Sequence, residues 1–171
     1  MPCSSFGVCS TDQESICSLH CVGCLEYKGN QSNITCIENR KRYNLQNNNY
    51  IVAKYHVDGG VIRSNRIKCD YLLLCYGERD NKAVFIELKG KNNRHAFDQL
   101  KESINSLNNV LSKLPNIRIY ARLVNSKTAP NDLLSKNYKD LFELLQSLNN
   151  SEQKYIKHEK LNFDENIDDL E

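Results

Sequence analysis

Residues 83–88 (AVFIEL) are apolar at every position but one. A run of this length is a strand rather than a helix, and a strand apolar on both sides has to be covered on both. It therefore belongs in the middle of a sheet that carries further layers on its faces. The neighbouring sequence supplies the rest of that sheet. Residues 50–57 (YIVAKYHV) and 68–76 (KCDYLLLCY) are rich in β-branched, aromatic and aliphatic residues and read as strands. Asp58-Gly59-Gly60 marks a turn between them. After Gly90, the residues Ala96, Leu100, Ile104, Leu107, Leu111 and Leu114 recur every three or four positions and predict a long helix with one apolar stripe, ended by Pro115. Residues 117–124 (IRIYARLV) are a fourth strand. A second helix, opened by Pro130 and Asp132, buries Leu134, Tyr138, Leu141, Leu145 and Leu148. The expected class is α/β: a central mixed sheet flanked by helices, in the order β-β-β-α-β-α.

A chain of 171 residues buries roughly 70% of the surface its unfolded form exposes, so one domain is stable without staples. Charged residues make up 26%, and no apolar run approaches the ~20 residues of a membrane-spanning helix. The N-terminus shows no basic stretch followed by an apolar one, which leads to the expectation of a cytoplasmic protein without a membrane partner.

Composition divides the chain into three parts. Residues 1–36 hold six of the eight cysteines and look irregular. Cys17, Cys21 and Cys24, with Cys36, Cys9 or Cys3 as a fourth ligand, form a candidate Zn2+ set, because a CxxC turn aims two thiolates at one metal and zinc takes four ligands. Unmodified thiols, disulfides and an iron–sulfur cluster are the competing readings. Residues 37–150 carry the α/β pattern. Residues 151–171 hold seven acids against three bases, a net of −4, and are expected to be a flexible tail. The total charge is +2, so the rest carries +6, which suits a polyanion partner better than the total does.

The chemistry lies at the ends of two apolar strands. Asp70 interrupts the run at 68–76, and Glu87 and Lys89 close the run that begins at residue 83. Residues two apart project from the same face of a strand, so Glu87 and Lys89 share a side. If the strands are neighbours, Asp70 joins them. Two carboxylates a few ångströms apart repel, and a hard divalent cation, Mg2+ or Mn2+, relieves the repulsion. Lys89 is then placed to orient a water or to neutralise a phosphate, and the Leu88 carbonyl between the two side chains is a further candidate ligand.

Asp70, then Glu87-Leu88-Lys89-Gly90, then a helix carrying Gln99-Leu100, resembles the PD-(D/E)xK nuclease superfamily over about residues 50–125. The resemblance implies a restriction-endonuclease-like sheet core and Mg2+-dependent phosphodiester hydrolysis. It makes Asp70 and Glu87 metal ligands, Lys89 the water-positioning group and Gln99 a helical residue facing the site. Members often carry a further acid from an earlier helix; Glu38 is the best-placed candidate, ahead of Glu26 and Glu14. Cys69 stands where the family's name has Pro. The function implied is a nuclease acting on DNA, with RNA as an alternative substrate, in bacterial or phage repair, recombination or defence. A homodimer is expected because cutting two strands with one site each takes two subunits. The competing reading is a catalytically inactive module of the same fold that binds nucleic acid or a partner protein. Lys68, Arg66, Lys91 and Arg94 cluster in sequence near the strand ends as candidate phosphate contacts, and Arg118 and Arg122 are expected to extend that basic surface.

Overall fold

The computed structural model describes residues 25–58, 61–62, 67–89, 92–126 and 130–170. Six strands form the main sheet: β1 (Leu25–Gly29), β4 (Ile51–His56), β5 (Tyr71–Tyr76), β6 (Asn81–Leu88), β7 (Ile117–Asn125) and β8 (Ile156–Lys160), in the order β1-β4-β5-β6-β7-β8. β1, β4, β5 and β6 run antiparallel to their neighbours, whereas β6, β7 and β8 are parallel. A second sheet contains β2 (Asn33–Glu38), β3 (Lys41–Gln46) and β9 (Asn162–Asn166), in the order β2-β3-β9. Helix α1 (Asn93–Leu111) connects β6 to β7, and α2 (Lys136–Asn149) connects β7 to β8. Among the described residues the class is α/β, with a mixed sheet and two helices.

The two faces of the main sheet carry different layers. On β6 and β7 the even-numbered side chains look toward the small sheet. Arg122 meets Glu165 there, and Lys82 and Tyr120 reach the Leu170 carbonyl. The odd-numbered side chains look toward the helices, where Lys89 meets Gln99 of α1. β6 is covered on both sides, as its composition requires, and all of its residues from Lys82 to Leu88 are buried.

The helices begin where local chemistry starts them. Asn92 caps α1 by accepting a hydrogen bond from the His95 amide (3.2 Å), and Ser135 caps α2 by accepting from Tyr138 (3.3 Å). Pro130–Asp132 forms a separate 3-10 turn, so α2 opens later than Pro130 indicated. Among the described residues, no helix is long and apolar enough to cross a membrane.

Two expectations are corrected. First, the segment 25–36 is not irregular throughout, because residues 25–29 form β1 and residues 33–36 begin β2. The β2–β3 hairpin closes on Asn39-Arg40, both with positive φ (47° and 64°), the geometry of a tight two-residue turn that matches strand twist. Second, the acidic stretch is no flexible tail. It forms β8 and β9, and Ile156, Phe163, Ile167 and Leu170 are buried. These four apolar anchors, spaced through the acids, outweigh the charge count.

Candidate active site

The C-terminal end of β6 is held by backbone pairing on both sides. Lys89 N donates to Val124 O of β7 (2.8 Å), and Asp70 N donates to Ile86 O (3.2 Å). Asp70 stands one residue before β5. The regular β5–β6 pairing begins at Tyr71 opposite Ile86, and Asp70 just before it turns its amide to that same Ile86 while its carbonyl serves the other neighbour. Val57 N donates to the Asp70 carbonyl (2.8 Å), and Cys69 N donates to Ser103 Oγ of α1 (2.8 Å). The segment carrying Asp70 is thus pinned from three elements.

The side chains converge on this point. Leu88 N donates to Asp70 Oδ2 (2.7 Å). Lys89 Nζ lies 3.6 Å from Glu87 Oε1 and donates to Gln99 Oε1 (2.7 Å). Gln99 Nε2 donates in turn to the Lys68 carbonyl (2.8 Å), which fixes its amide so that its oxygen faces the ammonium. Glu38, at the end of β2 beside the hairpin turn, lies close enough for its carboxylate to push the Asp70 pKa up. Asp70, Glu87, Lys89, Gln99 and Glu38 therefore share one locus.

Burial and like charge dominate its electrostatics. Glu87 is only 1% exposed, its Oε2 has no hydrogen-bond partner, and its pKa is pushed up to about 9. Burial is the main cause, the Asp70 carboxylate adds to it, and Lys89 opposes it only in part. Asp70 is pushed up to about 6 by burial and by Glu38, against the pull of the Leu88 amide and Lys89. Three carboxyl groups meet here with one ammonium. The donor set is all oxygen and in excess of positive charge, which fits Mg2+ or Mn2+, ions that take one or two carboxylates and keep waters on their open positions. Among the described residues, no group of three or more His, Cys, Asp and Glu is arranged to hold a metal ion by itself.

The remaining candidates separate. Leu88 is buried, and its amide serves Asp70. Lys68 turns its ammonium onto the Ile62 carbonyl (2.7 Å) and toward Asp58 (3.5 Å), with its side chain only 11% exposed, so it is committed to its own loop rather than offered to phosphate. Arg94 is open to solvent and only loosely paired with Asp132 (3.7 Å). Arg66 and Lys91 lie outside the described residues, as do Cys17, Cys21 and Cys24. Cys36 is a core residue of β2, wholly buried, its thiol pushed up to about 12 by burial, which is a poor state for a zinc thiolate. Arg122, expected on a basic surface, is also wholly buried, because its guanidinium neutralises Glu165 between the sheets.

Two residues that sequence reading passed over help to build the site. Ser103 accepts from Cys69 N while donating to Gln99 O (2.8 Å), so one hydroxyl ties α1 to the approach of Asp70. Its position four residues after Gln99 is the only signal the sequence offered. Tyr71 Oη donates to the Ile37 carbonyl (3.2 Å) and so holds the end of β2, with Glu38, against the main sheet. Nothing local in the sequence marks that contact. Comparison with protein-family models, with curated proteins and with solved structures finds no match to this chain.

Proposed function

We propose that this protein is a divalent-metal-dependent nuclease that hydrolyses phosphodiester bonds in DNA, with β4, β5, β6, α1 and β7 serving as a restriction-endonuclease-like core. The observation that carries the reading is the orphaned, buried Oε2 of Glu87 beside Asp70 and Lys89. A buried carboxylate oxygen without a donor is costly, and a hard cation is the partner its surroundings call for. Asp70 and Glu87 would hold Mg2+ or Mn2+, with water on the remaining positions, and the ion would supply Lewis-acid stabilisation of the charge that builds on the phosphate.

The chain's own groups do the rest. Leu88 N–H fixes Oδ2 of Asp70 and so sets the orientation of its carboxylate. Gln99 holds the Lys89 ammonium beside Glu87, where it orients the attacking water and offsets negative charge as the phosphorane forms. Arg94, exposed at the start of α1, serves to position a neighbouring phosphate.

The test is cleavage of plasmid, linear, single-stranded and branched DNA, and of RNA, with Mg2+ or Mn2+. Calorimetric titration of Mn2+ into wild type and Glu87→Ala accompanies it. Cleavage that is lost in Lys89→Ala, with Mn2+ binding lost in Glu87→Ala, supports the reading. The raised pKa of Glu87, which lets the acid stay neutral without a cation, favours the second reading, a binding module without catalysis. DNA binding without cleavage or Mn2+ uptake would establish that one instead.

A further inference from the structure

Among the described residues, β8 ends the main sheet on one side, and its backbone has a defined parity. Ala121 N donates to Tyr155 O (3.0 Å) at one end of the pairing with β7, and Leu161 N donates to Asn125 O (3.0 Å) at the other. In a parallel ladder alternate residues bond to the same neighbour, so Tyr155, Lys157, Glu159 and Leu161 turn their amides and carbonyls toward β7. Those of Ile156, His158 and Lys160 point away from the sheet. An open groove of about 510 Å³ runs along this edge, lined by Gln153, Lys154, Ile156, His158 and Phe163 among others.

We propose that this edge pairs antiparallel with β8 of a second copy of the chain, about a twofold axis at His158, joining two six-stranded sheets into one. The order of charges carries the argument. Charged residues on an edge ordinarily repel a second strand. Here the sequence Ile-Lys-His-Glu-Lys, turned on itself about His158, sets Lys157 opposite Glu159 of the second copy and Glu159 opposite its Lys157. Backbone parity agrees with that register. His158 faces its own copy as a pair that exchanges both hydrogen bonds, as do Ile156 and Lys160. The Lys157–Glu159 pairs then fall at the non-hydrogen-bonded positions, where side chains approach most closely.

The surroundings permit the pairing. Glu159 is exposed, and Lys157, although it contacts Glu165 at 3.0 Å, keeps 40% of its side chain open. Burial and the charge of Lys154 hold His158 below its ordinary pKa, so two of them facing across the axis are uncharged at neutral pH. Two of the other edge strands, β9 and β1, lack this match. β9 is acidic, with Asp164 and Glu165 followed by Asp168 and Asp169, so a second β9 would meet like charge. β1 carries a register break between Leu25 and Tyr27, a usual device against further pairing.

The proposal stands apart from the nuclease reading, because its test measures mass and no activity. Sedimentation velocity on the full chain over a range of concentrations should show a species of about twice 19.7 kDa. Glu159→Lys sets lysine against lysine twice and should weaken self-association at least about tenfold. His158→Pro removes an outward amide while taking nothing from the β7 pairing, and should leave a monomer. Thermal melts confirm that each variant is folded, and Glu159→Lys decides alone if His158→Pro is not. A wild type that stays monomeric at its highest soluble concentration overturns the proposal and leaves the edge to a strand of another protein. A dimer that persists in a folded variant overturns it too.

Discussion

Two clusters of buried acid lie on opposite faces of the main sheet, and they are solved in opposite ways. Between the sheets, Glu165 has every oxygen answered. Its Oε2 accepts from Arg122 Nε (2.6 Å) and Tyr43 Oη (3.0 Å), and its Oε1 from Arg122 Nη2 (2.9 Å) and Lys157 Nζ (3.0 Å). Burial alone would raise its pKa, but the guanidinium and ammonium bring it below the usual carboxylate value. At the end of β6, Glu87 is buried to a similar degree with one distant ammonium and one oxygen unanswered, and its pKa is raised. The first cluster is complete without a ligand. The second is short of positive charge, and that deficit is what the proposed metal site rests on, whereas the first is a structural salt bridge built of the same residue types.

The contrast can be broken from either side. The largest effect expected is on chemistry: Lys89→Ala or Asp70→Asn should lower metal-dependent cleavage by about 1,000-fold or more, with the fold kept, as judged by initial rates and circular dichroism. Next is the structural cluster. Arg122→Met strands Glu165 without its main partner and should cost about 3–5 kcal/mol in urea unfolding, with Mn2+ affinity unchanged. Glu87→Gln sharpens the comparison from the other side. In the metal-free protein at neutral pH Glu87 is held as the neutral acid, which Gln closely matches in shape and charge, so stability should stay within about 1 kcal/mol, while calorimetric Mn2+ binding disappears. Glu165→Gln, the same chemical change in the other cluster, should destabilise.

The smallest effect is in pH. Glu165 has a folded pKa below its unfolded value near 4.5, so the unfolded chain binds the proton more readily. Its contribution to stability is present above pH 4.5 and is lost as pH falls through the lower folded value. Urea midpoints measured from pH 7 down to pH 3 should show this loss in wild type, and Arg122→Met should flatten it.

Much of this was readable in one dimension because it follows from local pattern. β4, β5, β6 and β7 are dense in β-branched and aromatic residues, and α1 repeats its apolar residues at helical spacing. Glu87 and Lys89 share a face because strand geometry has a period of two. Gln99 lies three residues past Ala96, on the edge of the helix's buried stripe. β2 and β3 were less legible because their turn is Asn39-Arg40, without the glycine that usually marks such a hairpin. β8 and β9 were hidden by charge: the eye counts the acids, while Phe163, Ile167 and Leu170 supply the anchoring.

By itself, then, the sequence determined the strand and helix order through the middle of the chain and the grouping of Glu87 with Lys89, since both depend only on near-neighbour periodicity. Which acids would be neutralised and which left in want of a cation was decided by tertiary structure alone. Arg122 and Glu165 are 43 residues apart, and Glu38 and Asp70 meet across two different sheets. Electrostatic partnership depends on distance and burial in space, and neither is written in the spacing of a sequence.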